Sequence, residues 1–456
     1  MSDERELLRR TAELAADFLD TLDERPVFPL MPVEDLGAQL AVPLPDAPTD
    51  PLEVVETLAR ELDTGLVASA GARYFGFVTG GALPAALAAD WLTSAWDQNT
   101  GLYAGGPAAS SAEQVAGEWV KEILGLPGEA SVAFVTGCQM AHVTCLAAAR
   151  YDVLARVGWD VVKDGLWSAP RITVVAGAMR HVTVDRALRL LGLGTGSVVE
   201  VAADDQGRMR AEALADTLAS LSGALIVCAQ AGEVNTGSFD PLAKIVELSR
   251  EAGAWLHVDG AFGLWAAASP TLQGLVEGVE RADSWAFDAH KWLNVPYDCG
   301  VAVCAHPDAH RAAMAITASY LRATGESRNI AEWTPEASRR ARGITVYAAL
   351  RSLGRQGVAD LVDRCCARAR RFAAAVSELA GCEVLNEVLL NQVLFRFADD
   401  RTTQSVLESV QRSGEAWMGG TTWNGRAAIR LSVSNWRTTE DDIDRTVAAF
   451  AKALAA

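Results

Sequence analysis

Short apolar runs recur through the middle of the chain: VAFV at 132–135, ITVV at 172–175, VVEVA at 198–202, ALIVCA at 224–229, WLHV at 255–258, SWAF at 284–287 and GVAVC at 300–304. Helical stretches separate most of them. A strand with one face in water alternates polar and apolar side chains, whereas these runs are nearly continuous and suit strands buried on both faces. Seven of them interleaved with helices predict an α/β fold, a mostly parallel seven-stranded sheet with helices on either side.

The flanks read differently. Leu7, Leu8, Leu14, Ala15, Phe18, Leu19 and Leu22 recur at offsets of three, four and seven, which paints one apolar stripe on a helix in need of a partner surface. Pro43, Pro45, Pro48 and Pro51 then mark an extended connector. Beyond Gly343 a long helical pattern leads to CEVL (382–385), NQVLFRF (391–397) and AIRLSVS (428–434), closed by the helical stretch TEDDIDRTVAAFAKAL. Three segments follow: a helical arm over 1–80, a large domain over 81–343 and a small α+β domain over 344–456. The arm's stripe and the apolar excess of the chain fit a homodimer, whose interface is large and hydrophobic.

With 456 residues, half of them hydrophobic and 21% charged, the chain has ample material for a core and lacks the polar bias of disorder. Forty basic against 58 acidic residues leave a net charge of −18, which argues against nucleic acid or an anionic membrane as partner and leaves a small molecule. The uncharged window 130–149 is long enough to span a bilayer, but TGCQ and His142 inside it make strand, turn and helix the better reading. The eight cysteines form no CxxC pair and no regular framework, which suits reduced thiols and no metal centre. The charged start MSDERELLRR shows no secretory signal, so the cytoplasm is the expected compartment.

Ligands of open α/β sheets sit beyond the carboxyl ends of the strands, so the residues after each run are the first candidates for chemistry. Thr136, Gly137, Cys138 and Gln139 follow VAFV and open a helix, where backbone N–H groups can hold a phosphate. His181 follows ITVV after a short turn, and Asp259, Gly260, Ala261 and Phe262 follow WLHV. Asp288, Ala289, His290, Lys291 and Trp292 follow SWAF, placing a lysine in apolar surroundings that favour Schiff-base chemistry. Each alone has an ordinary structural reading: a turn, a helix cap, a lysine whose stem lies on tryptophan, a hydrogen-bonded histidine. Together they are the equipment for pyridoxal 5'-phosphate, with a turn for the phosphate, a lysine for the aldehyde, an acid for the ring nitrogen and an imidazole for the ring face.

The blocks RYFGFVTGGALPAALAADWL, VTGCQMAH, HVTVDRALRLLG, NTGSFDPL, WLHVDGAFG, DAHKWLNVPYDCG and NWRTTEDDID resemble the group II pyridoxal-phosphate-dependent amino-acid decarboxylases, the aromatic-L-amino-acid, histidine and glutamate decarboxylase relatives of fold type I. The resemblance runs over nearly the whole chain. It implies that Lys291 binds the cofactor covalently, Asp259 pairs with the pyridinium nitrogen, and His181 and Ala261 lie on the two ring faces. It also implies phosphate contacts from Gly137, Cys138 and Gln139, with Asp288 and His290 close by. Tyr320 matches a family loop tyrosine, contributed to the neighbouring subunit's site, that protonates the carbanion left by CO₂; relatives with phenylalanine there resemble oxygen-using aldehyde synthases. Thr79 matches a threonine near the substrate carboxylate, and Phe77 and Phe262 are candidate pocket walls.

The chain departs from the family pattern at TGCQMA, at Gly76 and Val78, and at Gly232–Asn235, where Glu233 brings a carboxylate that either reads a polar or cationic substrate or redirects the reaction. The expected activity is decarboxylation of an L-amino acid, with aromatic or other bulky side chains preferred. Decarboxylative oxidative deamination and carbon–carbon bond formation stand as alternatives. A non-catalytic regulatory or assembly partner is a different class, which intact Lys291, Asp259 and Tyr320 oppose, and no GxGxxG supports a nucleotide-binding oxidoreductase.

Overall fold

One sheet takes all seven apolar runs. The computed structural model describes residues 3–29, 31–316 and 328–456, so Tyr320 lies outside the described residues. The strands are β1 (Ser131–Val135), β2 (Ile172–Gly177), β3 (Val198–Val201), β4 (Ala224–Gln230), β5 (Trp255–Asp259), β6 (Ser284–Asp288) and β7 (Gly300–Cys304), in the order β1-β7-β6-β5-β4-β2-β3. Every residue of β1, β4, β5, β6 and β7 is buried, the physical reason their sequences do not alternate. Pairing is parallel throughout except at β7, which runs antiparallel to both β1 and β6.

That reversal shapes the site. Because β7 turns back between two strands that point the same way, its first residue, Gly300, pairs with the last residues of both, Val135 and Asp288. The β6–β7 connection, which carries Lys291, is thereby held over the edge where β1 and β5 also end. The uncharged window at 130–149 becomes β1, a turn and the helix Cys138–Arg156, and no helix among the described residues is long and apolar enough to cross a membrane.

The C-terminal part holds the helix Gly343–Ser377 and a four-stranded antiparallel sheet, in which β8 (Cys382–Val384), β9 (Gln392–Phe397), β10 (Gly419–Trp423) and β11 (Arg426–Ser432) lie in the order β10-β11-β9-β8. Strand β10 is absent from the sequence pattern because GGTTW has almost no apolar period. Its one signal is Asn424-Gly425, both at positive φ (49° and 77°), the two-residue turn of a tight hairpin. Phe372, Phe395 and Phe450 meet edge to face beneath this sheet.

The arm helix Glu4–Asp20 starts at Asp3, whose side chain accepts from the Arg5 amide. It leans on the helix Pro51–Asp63 through a 2.8 Å pair between Arg10 and Glu56. Neither helix has a buried residue and Leu8 is 60% exposed, whereas Leu22 just beyond the helix is buried, so within one chain the apolar stripe is only partly covered.

Buried histidines make the fold acid-sensitive. Burial pushes His257 down to about 3 and His310 down to about 4, so both rings stay neutral in the fold while the unfolded chain protonates near 6.5. Their contribution is fully present above that value and is lost as pH falls below it. Asp240 opposes this over a narrower window, since burial raises it to about 6 and the fold takes up its proton first. His181 and His290, also lowered by burial, act with the two histidines, against Asp240, Glu233 and Asp152, raised by burial, and His306, raised by Asp283. The melting temperature should therefore drop between about pH 7 and about pH 5, and a scan in which it holds or rises would contradict this.

Candidate active site

Four strand ends converge on one cleft. After β1, Gly137 runs extended into the helix Cys138–Arg156. The Cys138 amide, at the helix N-terminus, donates to Asp288 Oδ1 at 2.6 Å, so the turn is bolted to the end of β6. A side chain at Gly300 would land on the Gly137 backbone, so the approach of β7 to this turn requires glycine there. Asp288 then reaches the lysine: Lys291 Nζ is 3.0 Å from its Oδ2. Burial lowers the Lys291 ammonium, but Asp288, with Cys138 and Asp259, outweighs it and holds the group above its ordinary value. The lysine side chain keeps 20% exposure and remains reachable from the cleft.

Asp259 ends β5. Its Oδ1 accepts from the Ala261 amide at 3.1 Å and from the Cys138 thiol at 3.9 Å, and its Oδ2 lies 3.5 Å from His142 Nε2. Burial alone would push this carboxyl up; His142, His181 and the Ala261 amide together overcome that and hold it well below the usual carboxylate range. His181 caps the helix Val182–Leu190, with Nδ1 2.7 Å from Thr183 Oγ1, and lies within electrostatic reach of both Asp259 and Lys291. Burial pushes its imidazole down, leaving a flat neutral ring at pH 7. Gln139 donates through Nε2 to the Thr183 carbonyl at 3.1 Å, which ties the turn after β1 to the histidine turn.

His290 accepts from the Cys299 amide at 3.0 Å and lies tilted against Tyr297, ring centroids 4.4 Å apart. Tyr297 Oη in turn lies 3.3 Å from Thr79 Oγ1. The loop bearing Thr79 passes so close to the lysine turn that a side chain at Gly80 would overlap the Lys291 carbonyl. Phe77 and Val78 just before it both adopt positive φ (54° and 59°), a conformation non-glycine residues rarely take outside constrained sites. Phe77 is 60% exposed and tilts against Trp417 at 5.3 Å, while Tyr74 stacks on the same indole at 5.1 Å.

The structure thus gathers Gly137, Cys138, Asp259, Ala261, Asp288, His290, Lys291 and His181, with Gln139 and Thr79 alongside. Two expected residues lie elsewhere. Phe262 is buried in the core against Gly232, and Glu233 closes its own turn, accepting from the Asn235 amide at 2.7 Å, Asn235 Nδ2 at 2.8 Å and the Thr236 amide at 2.8 Å. Burial raises the Glu233 carboxyl above its ordinary value, and Arg430 on β11 feels its charge.

Sequence pattern does not point to Tyr297, Asn294 or Trp417, which the fold adds to the cleft. Asn294, at φ 56°, clamps the lysine turn to the C-terminal part by donating to the Ser434 carbonyl at 2.9 Å and accepting from the Trp436 amide at 2.9 Å. Trp417 fills the space above Gly76, where any side chain would strike its ring. The only trace of Trp417 in the sequence is that glycine, standing where a bulky wall residue is expected.

Cys138, His142 and Asp259 bring ligating atoms within 4.8 Å of one another, but hydrogen bonds among themselves and to His257 and Ala261 already engage them. The chemistry of the cleft fits pyridoxal phosphate better. It offers a primary amine held by one carboxylate, an ionised acid at a neighbouring strand end, a neutral imidazole and a helix N-terminus whose first amides have no intrahelical acceptor. The chain matches the pyridoxal-dependent decarboxylase conserved domain over residues 34–398. It is 26% identical to the aromatic-L-amino-acid decarboxylase of Bacillus atrophaeus over 457 residues, 96% of this chain and 93% of that one. It is 25% identical to the 4-hydroxyphenylacetaldehyde synthase of Rhodiola rosea, covering 96% and 93%. Its fold superposes on the crystal structure of Oryza sativa TDC with PLP and tryptamine at a TM-score of 0.92, with 23% identity over 99% of this chain and 97% of that one.

Proposed function

This chain belongs to the pyridoxal-dependent decarboxylases of fold type I, and from that premise we propose that it converts an L-amino acid with an aromatic or other bulky side chain to the amine and CO₂. The observation that carries this reading is the convergence of Lys291, Asp288 and Asp259 on one sheet edge. Bound pyridoxal phosphate supplies the aldehyde that captures amines and the electron sink for the bond to CO₂. The chain's own residues do the rest. Lys291 gives up its proton to react, and Asp288 Oδ2, 3.0 Å away, is placed to receive it. Asp259, held anionic, would keep a proton on the ring nitrogen. His181, neutral and flat, would cover the ring face. The turn at Gly137, Cys138 and Gln139 would hold the phosphate, and Thr79, steadied by Tyr297, would orient the substrate carboxylate.

The aromatic cluster of Tyr74, Phe77 and Trp417, with Tyr297 beside Thr79, supports a bulky or aromatic substrate over a small one. The half-covered stripe of the arm helix supports a homodimer in which the segment 1–80 closes the interface and each subunit completes its neighbour's site. The cytoplasm is the proposed compartment, on the eight cysteines, all of them free thiols.

Tyr320 is proposed, on sequence alone, to return the proton to Cα. Tyr320→Phe should then cut amine formation by about a hundredfold and divert turnover toward aldehyde and peroxide at the expense of oxygen. The likeness to an aldehyde synthase makes this the informative comparison. Following CO₂, amine, aldehyde and peroxide together with a panel of amino acids tests both points. Amine and CO₂ alone from the unaltered enzyme support the proposal; aldehyde with peroxide from it would replace the activity with the oxidative one.

A further inference from the structure

A second set of buried polar groups adjoins Asp259 and takes no part in the chemistry above. His142 Nε2 is 3.5 Å from Asp259 Oδ2, and its Nδ1 is 2.9 Å from His257 Nε2. His257 Nδ1 is 2.9 Å from Ser284 Oγ, and the Trp255 indole donates to that same oxygen at 2.9 Å. All four side chains are completely buried. They come from the helix after β1 and from the strands β5 and β6, so this hydrogen-bonded row crosses the sheet just behind the strand end that carries Asp259.

The carboxylate end of the row determines its direction, since the Ser284 oxygen can take the indole N–H in either arrangement. An ionised carboxylate only accepts, and an indole N–H only donates. The proton on His142 therefore sits on Nε2, shared between Asp259 Oδ2 at 3.5 Å and the Cys138 sulfur at 3.4 Å. Its Nδ1 must accept from His257 Nε2–H, His257 Nδ1 must accept from the Ser284 hydroxyl, and the Ser284 oxygen takes the indole N–H. One proton on each ring fills every position and leaves no group unpaired. The opposite set of tautomers would aim a lone pair of His142 at the carboxylate.

Asp259 needs such help. Full burial disfavours its charge, and its other close donors are the Ala261 amide at 3.1 Å and the weak Cys138 thiol at 3.9 Å. Other charged or titratable groups around it include His181 from the turn after β2, Asp288 at the end of β6, Lys291 from the turn that follows, Cys228 on β4 and Asp240 beyond it. We propose that His142 is a positioning residue for Asp259, orienting the carboxylate and keeping it ionised toward the cofactor's ring nitrogen, and that the His257–Ser284–Trp255 row locks the tautomer that makes this possible. This rests on the role given to Asp259 above.

The test uses holoenzyme loaded with pyridoxal phosphate labelled with ¹⁵N in the ring, read by NMR together with kcat, KM and borohydride fixation of the cofactor to Lys291. In His142→Leu the label at Lys291 should stay stoichiometric and KM nearly constant, while kcat falls about ten- to a hundredfold. The ring-nitrogen resonance should move toward its unprotonated position. His142→Gln, which keeps an N–H donor, should recover most of both losses. Ser284→Ala touches neither cofactor nor substrate and should shift the resonance the same way by a smaller amount; it decides the matter by itself if His142→Leu does not fold. An unchanged resonance and kcat in either variant at full cofactor occupancy would overturn the proposal. Unaltered protein that gains no label at Lys291 would instead overturn the underlying reading of the site, and the borohydride result keeps the two failures apart.

Discussion

Lys291→Ala is expected to abolish turnover, lowering kcat by about 10⁴- to 10⁶-fold, the scale on which removal of a covalent nucleophile is felt. The unaltered protein incubated with pyridoxal phosphate should be yellow, lose that absorbance on borohydride treatment and carry the reduced cofactor on Lys291. The variant should stay colourless under the same treatment. Its fold should survive, because Asp288 keeps the Cys138 amide on Oδ1 at 2.6 Å and His290 Nε2 at 3.4 Å. A variant that retained the borohydride-stable label, or more than about a thousandth of the activity, would remove Lys291 from the centre of the mechanism.

Asp259→Asn should show the second largest effect, a loss of about 10²- to 10³-fold in kcat with the cofactor still fixed to Lys291. The amide matches the carboxylate in size and can still accept from the Ala261 amide, so the geometry of the strand end persists. What disappears is the negative charge, and with it the reason for a buried ring nitrogen to hold a proton. A group that only stabilised structure would change the melting temperature and spare kcat; here kcat should fall while the melting temperature changes little. Activity within about tenfold of the unaltered enzyme would show that the ring nitrogen needs no anion in this protein. In Asp259→Asn the effect of His142→Leu should also shrink, because the two substitutions act through one carboxylate.

Much of this site is legible in the sequence because its parts are local. A buried strand announces itself by an unbroken apolar run, and the residue that follows the run stands at the sheet edge whatever the rest of the chain does. Gly137, Asp259 and Lys291 are legible for that reason, each one to four residues beyond its run. The arm's stripe is legible through its period. Strand β10 is not, since its GGTTW is held by pairing to β11 and by the Asn424-Gly425 turn more than by its own side chains. Glu233 and Phe262 are expected near the substrate because they follow the right strands, yet a side chain after a strand can turn into the core or back onto its own loop, as these two do.

By itself the sequence determined the strands of the large sheet, the residues at their ends, the acidic surface and the family, all properties carried by neighbours along the chain or by motifs at short range. Only the tertiary structure decided which ends meet. The reversal of β7 brings Asp288 onto the Cys138 amide, the insertion of Trp417 over Gly76 builds the aromatic cluster, and the crossing of a helix over two strands lines His142 and His257 up behind Asp259. Hydrogen bonds between buried groups depend on ångström-scale placement of residues far apart in the chain, and residue type and spacing do not encode that placement.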